Sequence, residues 1–314
     1  MKILILGNTA FTPFTLAKNL SNRNIDVTLV CKEPQVPISE NYPWLKIASG
    51  PAQQFNALNL NIDDYDLIHC NYLLNWFSLG ARIRKSKTPI LFHAHGSDTR
   101  PHTPIHKWLL NYILKNQKHL LYSTPDLLQN INFFEGQKYY VPNPINIPEN
   151  ISAEDKFSDR ILIYTTLNPV KKTEELLPII KELSQYQFDI INLGKYENIK
   201  QSGLDNINLI DAFEKDKVYE NLSRYPLILG GSQDGTIRVC ELEALASEVP
   251  TLFPFTYDSF YKEALPMLPI TSENINNIMK DPSLLEGQKA WVQESHSVDI
   301  VADQLLEIYS KVIS

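Results

Sequence analysis

Short apolar runs rich in Ile, Leu and Val recur along the chain, separated by longer stretches with helical spacing. The first half carries KILIL at 2–6, DVTLV at 26–30, DLIHC at 66–70, PILFHA at 89–94 and HLLYS at 119–123. The second half repeats the rhythm with ILIYTT at 161–166, FDIINL at 188–193, PLIL at 226–229 and PTLF at 250–253. Near-continuous hydrophobicity over so few residues marks strands buried on both faces, as in a parallel sheet covered by helices.

Between the halves lies VPNPINIPEN at 141–150, followed by a polar stretch at 151–159. Three prolines in these ten residues exclude both helix and sheet, so the run reads as an extended hinge. The pattern predicts an α/β protein of two Rossmann-like, doubly wound parallel-sheet domains, at 1–148 and 149–296. Such a pair is expected to face a cleft with the carboxyl ends of its strands, where ligands bind. The last segment, 297–314, is amphipathic through Ile300, Val301, Leu305, Leu306, Tyr309 and Val312. It fits a final helix, and the pattern leaves open whether it packs on the second domain or crosses back to the first.

Length and composition agree with this picture: 314 residues suit two domains, and 43% hydrophobic content can bury a sizeable core. The chain carries 36 acidic against 29 basic residues, a net charge of -7, which argues against nucleic acid as a partner. No run approaches the ~18–20 apolar residues of a membrane span, and MKILILGNT is too short for a signal peptide. A cytoplasmic protein is expected, with a peripheral contact at the inner membrane face left open. Cys31, Cys70 and Cys240 are far apart and support neither a disulfide framework nor a zinc knuckle.

Candidate chemistry gathers at the ends of the predicted strands. Gly7-Asn8-Thr9-Ala10-Phe11 follows the first, and Thr12-Pro13 then reads as N-cap and first residue of a helix. Such a loop is either a plain tight turn or a seat for an anion or a sugar hydroxyl. The absence of GxGxxG disfavours a dehydrogenase-type dinucleotide site. Next, HAHGSDTRPHTPIH places His93, His95, His102 and His106 within fourteen residues. A zinc site is one reading, but Asp98 is the only acidic residue among them. The preferred reading puts His95 just past a strand end, to orient a substrate hydroxyl or polarise a leaving phosphate, with Asp98 on a hydroxyl. His93, inside the strand, is expected to be buried and satisfied.

In the second half, Lys171 and Lys172 open a helix, where two cations are unfavourable unless an anion neutralises them. A diphosphate fits that demand. The segment at 227–253 ends a strand in Gly230-Gly231, loops through Gln233-Asp234-Gly235-Thr236 and continues into a helix with Arg238, Glu241 and Glu243. Residues two apart on a helix point about 200° from each other, so one of the two glutamates should face solvent. A cleft-facing glutamate would grip ribose hydroxyls. Glycine is scarce, 11 against 20 prolines, yet Gly7, Gly96, Gly194, Gly230, Gly231 and Gly235 all fall at or just past predicted strand ends.

Taken in order, these segments resemble the retaining glycosyltransferases of family 4, with the GT-B fold. DLIHCNYLLNWF and KTPILFHAHGSD are similar to the strand–helix–strand that ends in that family's HG-x-D. VPNPIN is similar to its interdomain VPNGVD, ILIYTTLNPVKKTEEL to its GRL-x-x-x-KG segment, and ELEALASEVPTL to its EAMAxGxPVI. The resemblance implies metal-independent transfer of a sugar, with retention, from a nucleotide-diphosphate sugar to a hydroxyl of a glycan, lipid or small molecule. No cofactor and no metal ligand are implied. It puts Lys172 on the donor-phosphate lysine, Lys171 on a position often basic, and Glu243 on the glutamate that contacts donor ribose.

The expected donor side therefore comprises Gly7, Lys171, Lys172, Gly194, Gly235, Thr236, Ile237, Arg238 and Glu243. Asn8, Thr9, Phe11 and Asp98 form the acceptor side, and His95, Lys172 and Asp234 act at the reacting centre. The departures are specific. The family's arginine is Thr166, its flanking glycines are Thr165 and Thr173, its first glutamate falls on Gly235, and its glycine before proline is Glu248. They motivate two alternatives: a non-catalytic GT-B accessory or glycan-binding subunit, and a nucleotide-sugar 2-epimerase with Asp98 as an acid from the first domain.

Overall fold

The computed structural model describes residues 1–31, 41–47, 60–72, 86–96, 98–100, 103–151, 155–165, 173–191, 203–231 and 235–314. They form two compact units, Met1–Pro144 with Val298–Ser314, and Ile145–Ser297. The chain changes unit within the predicted proline-rich hinge and again after Ser297.

The first unit contains β1 (Lys2–Leu6), α1 (Thr12–Asn22), β2 (Asp26–Cys31), β3 (Leu45–Ile47), β4 (Leu67–Asn71), β5 (Ile90–Ala94), α2 (Pro104–Leu114), β6 (His119–Tyr122), α3 (Leu127–Asn130) and β7 (Gln137–Tyr140). Its sheet runs β3-β2-β1-β4-β5-β6-β7 with every pair parallel. Winding therefore reverses between β1 and β4. Alternate residues of each strand feed opposite cores: Leu4 and Leu6 pack with Ile68, Cys70 and Phe92, while Ile3 and Ile5 pack with Leu67, Leu91 and Leu121.

The second unit contains β8 (Arg160–Ile163), α4 (Leu177–Glu182), β9 (Gln187–Ile191), β10 (Ile207–Ile210), α5 (Val218–Leu222), β11 (Leu227–Leu229), α6 (Val239–Ala246), β12 (Thr251–Leu252), α7 (Ser272–Lys280) and α8 (Gln288–His296). Its strands are also parallel, in the order β10-β9-β8-β11-β12, so winding reverses between β8 and β11. The nine runs read from the sequence all appear as strands. Three more were not among them, β3, β7 and β10, and each is the edge of its sheet. An edge strand keeps one side in solvent and lacks a continuous apolar run: β7 reads QKYY, with no fully buried residue.

The final helix, α9 (Val298–Ile313), belongs to the first unit. Val301, Ala302, Leu305, Ile308 and Tyr309 cover the sheet face that carries Ile3, Ile5, Leu67 and Leu91. Polar contacts fix its register. Arg23 pairs with Asp299 at 2.7 Å and also with Asp303, and Gln304 Nε2 donates to the Tyr140 carbonyl at 2.5 Å. The amphipathic pattern predicted the helix, and packing decided which unit it covers.

Candidate active site

Each unit gathers polar groups at the carboxyl end of its sheet, next to the strand pair where winding reverses. In a doubly wound sheet the helices leave that point in opposite directions and open a crevice.

In the first unit the Gly7–Phe11 loop leaves β1. Gly7 has φ +83°, and Ala10 and Phe11 are also left-handed, at φ +51° and +61°. Two consecutive non-glycine residues in this region cost about 1–2 kcal/mol each, and such strain concentrates at ligand-binding loops. The expected capping by Thr12 is corrected. Thr12 is already helical and its hydroxyl donates to the Thr9 carbonyl at 3.0 Å. Asn8 caps instead, its Oδ1 accepting from Phe14 N–H at 3.1 Å, because the left-handed turn brings that side chain over the helix start.

Period-two geometry aligns Leu67, His69 and Asn71 of β4 with Leu91 and His93 of β5 and with His95 beyond it, on the face covered by α9. His69 Nδ1 lies 2.6 Å from the Tyr309 hydroxyl and its Nε2 lies 3.1 Å from His93 Nδ1. His93 in turn lies against His95, with ring centroids 4.1 Å apart and planes inclined by 37°. Burial lowers the His69 pKa to about 3 and holds His93 well below the usual range, helped by the neighbouring imidazoles; His95 is shifted the same way by burial. The column is therefore neutral. His93 is buried as expected, with Nδ1 on His69 and a backbone contact to Val141.

His95 Nε2 sits 2.8 Å from Asn71 Oδ1. An amide oxygen only accepts, so Nε2 carries the proton and Nδ1 keeps the lone pair. Asp98 departs from its expected place. It is fully buried, and its Oδ1 accepts from the His95 backbone N–H at 3.0 Å, so it braces the turn rather than meeting a substrate hydroxyl. His106 is directed at the Asp98 carbonyl, 3.0 Å away, while His102 lies outside the described residues. Among the described residues His106 is thus turned away from His93 and His95, and the ring that joins them is His69. Its signal was the shared period of HxN at 69–71 and HxH at 93–95.

In the second unit, Tyr164 N–H donates to the Leu229 carbonyl at 2.9 Å, which sets Thr165 beside Gly230 across the β8/β11 reversal. Thr165 is buried and its Oγ1 has no hydrogen-bond partner. The same is true of Arg238 Nη1, at the residue that precedes α6. Orphaned polar atoms are costly, and these two lie on the segments that follow β8 and β11, the strand pair at which winding reverses. Gly235 has φ +66°, and a Cβ there would fall 2.0 Å from Thr256 Oγ1, so only glycine fits this turn. Thr236 is buried beside it, whereas Ile237 packs in the core with Leu242 and Trp291 and offers a ligand only its backbone.

The expectation that one of Glu241 and Glu243 faces solvent is overturned. Both are buried, at 1% and 4% exposure, because α6 is enclosed on all sides and every residue from Glu241 to Ala246 is buried. Glu241 turns back to its own helix start. It accepts from the N–H of Arg238 at 3.0 Å and of Gly231 at 3.3 Å, and burial still raises its pKa. Glu243 is held by the Tyr164 hydroxyl at 2.8 Å and by Lys215, two partners the sequence did not suggest. Lys171, Lys172, Gly194 and Asp234 lie outside the described residues.

Comparison with known proteins agrees with this architecture. A sequence model of Glycosyltransferase Family 4 matches residues 12–147. No curated protein sequence matches the chain. Among solved structures, sucrose-phosphate synthase from Thermosynechococcus elongatus superposes with a TM-score of 0.76 at 14% identity, over 99% of each chain. Anabaena HepE in complex with UDP-glucose gives 0.74 at 11% identity, over 99% of this chain and 100% of that one. An alpha-glucosyltransferase in complex with UDP and a 13-mer DNA gives 0.72 at 12% identity, with the same coverage. The fold is GT-B. The resemblance to family-4 glycosyltransferases, first carried by the motifs, is matched by the family's own sequence pattern across the first unit.

Proposed function

We propose that the chain is a glycosyltransferase that moves a sugar from a nucleotide-diphosphate donor to an acceptor hydroxyl, with retention and without a metal ion. The observation that carries the reading is the pair of unpartnered polar atoms, Arg238 Nη1 and Thr165 Oγ1, on the segments that follow β8 and β11 at the winding reversal of a GT-B fold. A diphosphate supplies what both lack, since its oxygens accept from a guanidinium and a hydroxyl at once. Departure of the nucleoside diphosphate builds negative charge on the β-phosphate, and in this reading Arg238 and the Gly235-Thr236 turn stabilise it. Lys171 and Lys172 add positive charge in this reading, and Asp234 holds sugar hydroxyls. Arg238 takes over the work of the family arginine that Thr166 replaces.

Glu243 is the ribose group. Each carboxylate oxygen accepts twice, so Tyr164 and Lys215 leave lone pairs for ribose hydroxyls. On the first unit, a neutral His95 with its proton on Nε2 supports the first of its two expected roles, in which Nδ1 accepts from a sugar hydroxyl. HepE was crystallised with UDP and with UDP-glucose, which favours a uridine donor here. A DNA acceptor, as in the alpha-glucosyltransferase complex, suits this chain poorly because its net charge is -7. Epimerase chemistry lacks its acid from the first unit, because Asp98 is buried in a turn.

A thermal-shift and calorimetric screen with UDP-, GDP-, ADP- and dTDP-sugars tests the donor, followed by nucleoside-diphosphate release in the presence of acceptors. Stabilisation by one donor class, with release only when an acceptor is added, is the expected result. No binding by any donor would sink the reading.

A further inference from the structure

We propose that the first unit carries a second, non-catalytic site that holds a short, uncharged oligosaccharide against Trp108 and Tyr112. A cavity of about 580 Å³ lies between the C-terminal half of α2 and the corner at 133–136 that precedes β7. That volume is within the ~300–1,000 Å³ range of small-ligand clefts. Trp108 is 62% exposed and Tyr112 50% exposed, large aromatic surfaces to leave in water on a folded domain. The two rings lie one helical turn apart and stack with an offset, inclined by only 14° with centroids 5.7 Å apart, so together they form a stepped aromatic platform.

A pyranose has an apolar C–H face and a rim of hydroxyls, and the cavity matches both. The rings offer flat apolar surface. Asn111 and Gln117 bring amides, each able to donate and accept at once, as vicinal hydroxyls require. The two charged lining residues, Lys115 and Glu135, cancel, which favours an uncharged ligand over a nucleotide or an anionic headgroup.

The walls are fixed before any ligand arrives. Gln137 N–H donates to the Lys118 carbonyl at 2.8 Å, and a Cβ on Gly136 would fall 2.5 Å from that carbonyl oxygen and from the Phe134 ring. Only glycine allows this corner to close on the end of α2.

This site is distinct from the reacting one. Gln117 and Gly136 precede β6 and β7, at the amino end of the sheet, whereas His95 follows β5 at the carboxyl end. The eleven residues of α2 separate the two ends by about 16 Å. A glycan held here is thus a remote segment of a chain and not its reacting end. That it belongs to the acceptor rests on the transferase reading, but the binding itself does not.

The test uses the full chain without donor, with maltotetraose, mannotetraose and chitotetraose as probes, followed by saturation-transfer NMR and calorimetry. At least one should bind through its C–H faces, with a dissociation constant unaffected by saturating UDP. Trp108→Ala should weaken it about tenfold, the scale of aromatic contacts, while Trp108→Phe retains most of the binding. Both side chains are exposed, so an unchanged Tm reports that the fold is kept. The proposal is overturned if none of the probes binds, if Trp108→Ala and Tyr112→Ala bind like the parent, or if UDP displaces the sugar. It is also overturned if the platform instead mediates cosedimentation with phosphatidylcholine–phosphatidylglycerol vesicles and no sugar binds. Failure of nucleoside-diphosphate release alone would remove the acceptor role and leave the binding result standing.

Discussion

The two units put their candidate chemistry at the same topological point and build it from opposite materials. At β1/β4 and the neighbouring β5 the first unit stacks neutral rings, His69, His93 and His95, behind a strained loop. At β8/β11 the second unit has glycines, two buried carboxylates and a guanidinium nitrogen without a partner. Neutral imidazoles suit hydroxyls, whereas Arg238 and the turn before α6 suit an anion. Sheet winding sets where a ligand can sit, and the side chains set which charge it carries.

Acid should divide the units most strongly. His69 has a folded pKa of about 3 and His93 also lies well below the ~6.5 of an unfolded chain. Between those values the unfolded state binds protons that the native state refuses. Stability is thus unaffected above about pH 6.5 and falls below it, by up to ~1.4 kcal/mol per pH unit for each imidazole. Glu241 has the opposite sign: its raised pKa means that the folded state takes up its proton first, so this group favours folding as pH falls. Hydrogen exchange from pH 7 to 4.5 should show β4 and β5 losing protection before β8 and β11, and His69→Gln should flatten the difference. Equal loss in both units would break the comparison.

Arg238→Ala comes next. Removing a charge-stabilising donor costs roughly 10²-fold in turnover, and here it should weaken UDP binding as well. If the diphosphate is held by the second unit as proposed, His95→Ala should lower turnover and leave UDP affinity unchanged. Calorimetry on both variants reads the contrast, and equal loss of UDP affinity would contradict it.

Gly235→Ala should destabilise the second unit by about 2 kcal/mol or more, from the left-handed backbone and the clash with Thr256. Denaturant unfolding should show its transition shifted while that of the first unit stays in place. The smallest effect belongs to Tyr309→Phe, which deletes the hydroxyl 2.6 Å from His69. It should cost about 1 kcal/mol and act on the first unit alone. A shift in the second unit's transition would show that α9 stabilises more than the sheet it covers.

How much was legible depends on what burial does to sequence. β1 is read at its observed residues because a strand covered on both faces must be apolar throughout. β3, β7 and β10 escaped because an edge needs no such run. The glycines at strand ends were visible, and Gly235 occupies its place because its backbone is left-handed and a Cβ there would meet Thr256. Asp98 looked like a ligand and is a brace, since HGSD spells a turn as readily as a site.

The sequence by itself determined the alternation of strands and helices, the hinge at 141–150 and the order of the motifs, because these follow from local pattern and proline geometry. Only the tertiary structure decided that α9 closes the first unit, that both glutamates of α6 are buried, and that His69 joins His93 in the imidazole column while His106 turns to the Asp98 carbonyl. Those outcomes depend on which surfaces meet across long separations in the chain: His69 and Tyr309 are 240 residues apart and lie within one hydrogen bond. Periodicity specifies that a face will be covered. It does not specify by what.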